Sequence, residues 1–119
     1  RELQYSGANN SLYLIRDNEL IETKSDKQPI GKFLHNKPFT NHIQQLNEND
    51  KIYLFTDGFA DQFGGKKGKK FKYKQFRSLL LKNNNSSMHN QLNLLTESFN
   101  QWKGDLEQID DVCVIGVKV

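Results

Sequence analysis

The chain has 119 residues, enough for one domain that buries roughly two-thirds of its extended-chain surface. Only 35% of it is hydrophobic, but 8 Phe, 4 Tyr and 1 Trp supply the bulk of a core, and the net charge is a modest +3. One cysteine, Cys113, excludes an internal disulfide, no run of about 18 apolar residues is present to span a membrane, and no basic-apolar-small leader is recognisable. These features lead us to expect a cytoplasmic domain in a reducing compartment, with any membrane anchor supplied by upstream segments of a longer protein. The absence of an initiating Met, with strand-like sequence at both ends, leads us to expect a piece of a longer polypeptide.

In chain order, Glu2–Gly7 and Ser11–Arg16 read as strands separated by the turn-rich GANN. Asp17-Asn18 then joins Leu12–Arg16 to Glu19–Lys24, a hairpin signal. Ser25–Phe33 is loop, punctuated by Pro29 and Gly31. HIQQL, the polar NEND and KIYLFT read as a second hairpin, so about five strands precede the first helix. Tyr73, Phe76, Leu79 and Leu80 give one amphipathic stripe, and Met88, Leu92, Leu95, Phe99 and Trp102 a longer one, which by default is core packing. Ser87 is placed to cap the second helix and Lys103-Gly104 to end it. The closing VCVIGVKV is apolar and β-branched and predicts a central, buried strand, with Cys113 as a small core residue. The order predicts an α+β arrangement, a mainly antiparallel sheet with two amphipathic helices packed on it.

The candidate chemistry is acidic. Asp57 ends an apolar strand in KIYLFTDGFADQFGG, and Asp110-Asp111 lead into one in QIDDVCVIGV. If those strands are antiparallel neighbours, the carboxylates converge at one rim of the sheet. Like charges held close raise each other's pKa unless a cation lies between them. Oxygen ligands of this kind suit Mg²⁺ or Mn²⁺ rather than zinc. On spacing alone, a plainer reading stays open: strand ends expose polar residues, and Asp favours turns.

LFTDGFADQFGG, followed about fifty residues later by QIDDVCVIGV and preceded by YSGANNSLYLIRDNELIE, resembles the metal-dependent protein serine/threonine phosphatases, and more narrowly the bacterial SpoIIE-like branch. The resemblance implies a PPM-type α/β/β/α sandwich of which residues 1–119 form the C-terminal part. It implies that Asp57 and Asp110 are metal ligands with a catalytic role. Asp111 stands beside them, more in keeping with orienting waters. Gly58, Asp61, Lys66 and Lys67 fall where they could support the site or form a flap beside it. The implied reaction is in-line attack of water on the phosphorus of phosphoserine or phosphothreonine, with two Mn²⁺ or Mg²⁺ ions as cofactors and no covalent phosphoenzyme. The implied substrate is a phosphorylated regulatory protein, and the implied context is a bacterial signalling chain with sensor modules upstream.

Departures from the family pattern are informative. Thr56 replaces Ser, Ser11 stands where Pro is common, and Cys113 stands where Thr or Ser is usual, which is expected to loosen a hydrogen bond near the metal. The family's front half supplies a second Asp-Gly pair whose acid bridges the two metals, whereas Asp57-Gly58 is the single such pair in this sequence. The chain alone is therefore expected to bind metal weakly or not at all, to be inactive, and to self-associate through an uncovered sheet. The alternative is a non-catalytic module engaging nucleic acid or a protein through the lysines of Lys66–Lys74. We favour a solvated face for that run and no nucleic-acid partner. His35, His42 and His89 are unclustered and expected at the surface.

Overall fold

The computed structural model describes residues 1–32 and 34–119, so the loop reading at Phe33 lies outside the described residues. The elements in chain order are β1 (Glu2–Tyr5), β2 (Leu12–Arg16), β3 (Glu19–Thr23), β4 (His42–Gln45), β5 (Lys51–Phe55), α1 (Gly58–Asp61), β6 (Phe63–Gly64), β7 (Lys69–Lys70), α2 (Tyr73–Lys82), α3 (Met88–Lys103) and β8 (Val114–Lys118). The chain is α+β, with antiparallel sheets and helices. It divides into two compact units, Arg1–Phe55 with Ile115–Val119, and Thr56–Val114.

The first unit is built on a four-stranded sheet in the order β3-β2-β5-β8 and a two-stranded sheet of β1 and β4. Asp17 and Asn18 both take positive φ, 49° and 62°, as a two-residue type I′ hairpin requires, and Arg16 pairs with Glu19 across it. Interior position explains the apolar run of β2: Leu12, Tyr13, Leu14 and Ile15 are all buried, whereas β3 at the edge alternates toward solvent. Leu12, Leu14 and Ile52 form a cluster against which Leu3, Tyr5, Leu46 and Val119 pack. Tyr13 and Phe55 pack with their rings tilted by 49° and their centroids 4.5 Å apart.

Two sequence expectations are corrected here. HIQQL and KIYLFT do not form a hairpin: β4 pairs with β1 and β5 pairs with β2, both antiparallel. The NEND turn does form, with Asn49 at φ 72° and the Asp50 amide donating to the Asn47 carbonyl at 3.2 Å. It hands the chain from one sheet to another, and the Arg16 guanidinium on β2 holds both ends of it, donating to the Asp50 carboxylate just before β5 from Nε at 2.9 Å and from a terminal nitrogen at 2.6 Å, and to the Gln45 carbonyl at the end of β4 at 2.8 Å. The closing strand is also not central. β8 neighbours β5 at the edge of the sheet, with the Val119 amide donating to the Asp50 carbonyl at 2.8 Å, and Ile115 and Val117 are 54% and 51% exposed. Apolar content shows that a strand suits burial, not that a neighbour is present to bury it. Cys113, expected in the core, is exposed for the same reason.

The second unit packs around Phe59 on α1. Its ring centroid lies 5.2 Å from Phe71, 5.1 Å from Phe76 and 5.2 Å from Phe99, a cluster that joins α1, α2 and α3. Ser87 caps α3 as the sequence predicts, its hydroxyl accepting from the Asn90 amide at 3.1 Å, and Gly104 ends the helix with φ 53°. The α3 stripe is only partly core: Phe99 is buried, Leu92 is 60% exposed, and Gln91 is buried in its place with its amide donating to the Ser86 carbonyl at 3.2 Å. His35 and His89 are exposed, and His42 is half-buried beside Tyr5. No helix among the described residues is long and apolar enough to cross a membrane.

The Asp50–Arg16 pair gives the first unit a pH-dependent tie. Hydrogen bonding from Arg16 holds the Asp50 carboxyl below its usual range, and the Asn47 amide adds to it at 2.7 Å. A depressed carboxylate contributes stability fully above its ordinary pKa of about 4 and loses it as the pH falls through the folded-state value. Asp50→Asn is expected to lower unfolding stability at pH 7 by about 2–4 kcal/mol, since Asp50 is 2% exposed and the Arg16 charge would lose its partner. In urea titrations the gap from the unaltered chain should shrink steadily below about pH 4. A gap unchanged near pH 2 would contradict the assignment.

Candidate metal centre

The acidic site lies within the second unit and is assembled by backbone and hydroxyl contacts. Past the end of β5, the Thr56 amide donates to the Cys113 carbonyl at 3.0 Å. The Thr56 hydroxyl donates to the Asp111 carbonyl at 2.9 Å and accepts from the Cys113 amide at 3.0 Å. One residue thereby fastens the segment carrying Asp57 to the segment carrying Asp110 and Asp111. Next in the chain, Gly58 is pressed against the same segment: a Cβ there would run into the Asp111 carbonyl oxygen and lie 3.1 Å from a Val112 methyl. Glycine is needed at this position for close approach rather than for unusual dihedrals.

Asp57 stands at the start of the single turn α1, where its carbonyl accepts from the Asp61 amide at 2.9 Å. Its side chain makes no capping bond, so the carboxylate is not consumed by the helix. Partial burial pushes the Asp57 carboxyl above its usual range, and the charges of Asp110 and Asp61 push it further, with a side-chain hydrogen bond to Asp110 adding to the effect. Asp57 and Asp110 therefore lie near enough for their charges to interact, with Asp61 also near enough to repel. Asp110 is oriented from its own segment, Oδ1 accepting from the Asp111 amide at 2.7 Å and its carbonyl accepting from Gln108 at 2.9 Å.

The other expected site residues divide. Asp111 contributes its backbone, and its side chain is exposed. Asp61 forms an ion pair with Lys70 at 3.4 Å, both partly exposed. Lys66 and Lys67 are exposed in the turn between β6 and β7 and line a cleft with Trp102 rather than the acid site. Cys113 enters the hydrogen bonding of this site through its backbone amide and carbonyl. Sequence reasoning undervalued Thr56, whose place at the end of a strand before an Asp-Gly pair was the available signal.

The donors fit a hard divalent cation: they are carboxylate oxygens, and a cation between Asp57 and Asp110 would remove the repulsion that raises Asp57. Among the described residues no group of three His, Cys, Asp or Glu side chains converges as a complete cage. Two carboxylates suit Mg²⁺ or Mn²⁺, since Mg²⁺ keeps several waters and is often held by one or two carboxylates.

With that geometry described, the relatives are informative. The sequence profile of Stage II sporulation protein E (SpoIIE) matches residues 1–119. The chain belongs to the SpoIIE family. Its structure is similar to the SiaA PP2C domain of Pseudomonas aeruginosa, with a TM-score of 0.91 at 28% identity over 100% of this chain and 47% of that one. It is also similar to the PP2C phosphatase domain of SpoIIE from Bacillus subtilis solved with a fragment of the regulatory domain, with a TM-score of 0.74 at 15% identity over 99% of this chain and 34% of that one. A second structure of the Bacillus subtilis SpoIIE phosphatase domain gives 0.66 at 14% identity over 98% of this chain and 50% of that one. The chain thus spans half or less of these solved chains, and it shares their PP2C-type fold. No curated protein matches it.

Thr56 gives this SpoIIE-family site a sharp test. Thr56→Val keeps the shape and removes both hydroxyl bonds, worth about 1–2 kcal/mol together. Mn²⁺ affinity, followed by electron paramagnetic resonance, should fall roughly tenfold, while Thr56→Ser should retain it. Equal Mn²⁺ binding by all three proteins would show that the hydroxyl does not position the acids.

Proposed function

We propose that this SpoIIE-family chain is the C-terminal part of a metal-dependent protein serine/threonine phosphatase domain of a bacterial signalling protein, acting on phosphoserine or phosphothreonine of a regulatory protein. The observation that supports the reading is the fastening of the segment that carries Asp57 to the segment that carries Asp110 and Asp111, through Thr56 bonded to the backbone of Asp111 and Cys113 and Gly58 fitted against Asp111. Two carboxylates held together against their mutual repulsion, and free of a capping role, are a costly arrangement unless a cation uses them.

In this reading Asp57 and Asp110 would hold a Mn²⁺ or Mg²⁺ ion, and Asp111 would orient water beside it. The bound metal pair of a complete domain supplies charge neutralisation for the phosphoryl oxygens and a more acidic water. Thr56 and Gly58 keep the two acid-bearing segments in register, and Asp61 with Lys70 flanks the rim. The rest of the domain would supply a bridging acid and a cover for the exposed face of β8, whose Ile115 and Val117 lie open. Without that cover the edge strand favours self-association. A cytoplasmic location with sensor modules ahead of the domain fits a regulatory phosphoprotein substrate.

A Mn²⁺-dependent assay on a phosphoserine peptide tests this directly. The 119-residue chain should show little or no turnover, and the same protein extended upstream should be active. Asp57→Asn in the extended protein should reduce kcat by roughly 100-fold or more. Equal turnover from both lengths, abolished by Asp57→Asn, would show that the site is already complete in this chain. Turnover from neither would count against the phosphatase reading.

A further inference from the structure

The acid site makes no use of the lysines that follow it. Between β6 and β7 the chain reverses, and the hairpin forms one wall of a cleft of about 380 Å³. Five lysines line it, Lys66, Lys67, Lys69, Lys70 and Lys72, together with Trp102, and no lining residue is acidic. All five are exposed, and of them Lys70 also pairs with Asp61 at 3.4 Å.

The cleft is rigidly founded. The Trp102 indole donates to the Gln62 carbonyl at 2.8 Å, its backbone carbonyl accepts from the Gly65 amide at 2.9 Å, and its ring meets Phe71 edge-on at 5.4 Å. Gly65 has φ +70°, and a Cβ there would fall 2.7 Å from the indole ring, while one on Gly64 would strike the Trp102 backbone. The paired glycines let the hairpin lie directly on the tryptophan. Lys72, at the far wall, is held at φ 75° and ψ 154°, a region essentially reserved for glycine. It is pinned there by its amide donating to the Ala60 carbonyl at 2.7 Å and its carbonyl accepting from the Phe76 amide at 3.1 Å. α2 starts at that point with no side-chain cap and no acid in its first turn.

We propose that this cleft binds an acidic stretch of the phosphoprotein substrate, so that carboxylates near the phosphorylated residue engage the lysines. The proposal rests on the phosphatase reading of the acid site. The cleft reaches that site through Lys70, whose ammonium pairs with Asp61 on the turn that Asp57 begins. Five positive charges lie within about one Debye length of an occupant, which favours a partner of opposite charge and makes its affinity depend on salt. A peptide fits better than nucleic acid. The cleft is short, whereas single-stranded nucleic acid needs a groove that tracks several nucleotides and aromatic faces free for stacking. Here the Trp102 ring is occupied by Phe71 and Gly65.

Trp102 is the single tryptophan of the chain, so its fluorescence reports on this cleft. The 119-residue chain is titrated with an octapeptide rich in Glu and Asp and lacking phosphoserine, with its Gln/Asn counterpart, and with a duplex DNA oligonucleotide. The acidic peptide should change the emission saturably and weaken at high salt, and the neutral peptide should not. The combined Lys66→Gln, Lys67→Gln, Lys69→Gln variant should bind at least about tenfold more weakly. Its unliganded emission should be unchanged, which shows that it is folded, and Lys82→Gln outside the cleft should bind normally. Unaltered affinity in the triple variant, or tighter binding of the DNA, would overturn the proposal. In the upstream-extended protein, the triple variant should raise KM for an acidic phosphopeptide while leaving aryl phosphate turnover unchanged. Acidic-peptide binding by a protein with no phosphatase activity would sink the phosphatase reading and, with it, the substrate role of the cleft. Activity with no effect of the lysines on KM would sink the cleft proposal alone.

Discussion

Everything distinctive about the acidic rim depends on the pairing of Thr56 with residues 111–113. Its amide and hydroxyl together satisfy the Asp111 carbonyl and both backbone groups of Cys113. These bonds fix two segments more than fifty residues apart in sequence against each other. Gly58 then lets the chain turn into α1 without pushing Asp111 away. A short sequence, Thr-Asp-Gly, thus sets a hydrogen-bonded clasp, a carboxylate and a point of close approach in successive residues.

The two well-placed aspartates of this molecule show opposite electrostatics. Asp50 sits against Arg16 and the Asn47 amide, which hold its carboxyl down and make it a structural anchor. Asp57 is raised by partial burial and by the neighbouring charges of Asp110 and Asp61. The nearby lysine, Lys70, pairs with Asp61 instead, at 3.4 Å. The raised Asp57 is what the proposed metal-holding role calls for, whereas the Asp50 arrangement explains itself through the fold. The lysine hairpin follows the same logic with the sign reversed: like charges are gathered on a platform that glycine and tryptophan make rigid.

Much of this was legible from the residues. Asp17-Asn18 announced the tight hairpin, Ser87 and Gly104 bounded α3, and β5 ends just before Asp57 as the sequence suggests. What failed did so because pattern reports local preference and not partners. KIYLFT and HIQQL each looked like strands and are, but they pair with β2 and β1 rather than with each other, a choice of partner that lies outside either segment. VCVIGVKV looked like an interior strand and lies at an edge, because no element among the described residues flanks its other side. Leu92 was assigned to a core stripe and faces solvent, while Gln91 is buried through a bond to Ser86 that no hydropathy pattern encodes. The Thr56 clasp and the Trp102 platform were invisible for a related reason: each depends on a contact across some forty to fifty-five residues of chain.

The claim on which the account turns is that Asp57 and Asp110 share one divalent cation. An anomalous difference map from crystals of the upstream-extended protein grown with Mn²⁺ measures that directly. The account predicts a strong peak with carboxylate oxygens of both Asp57 and Asp110 at about 2.0–2.6 Å, and with Thr56 still bonded to Asp111. A peak on other residues, or well-ordered Asp57 and Asp110 side chains turned away from each other with no peak between them, would contradict it.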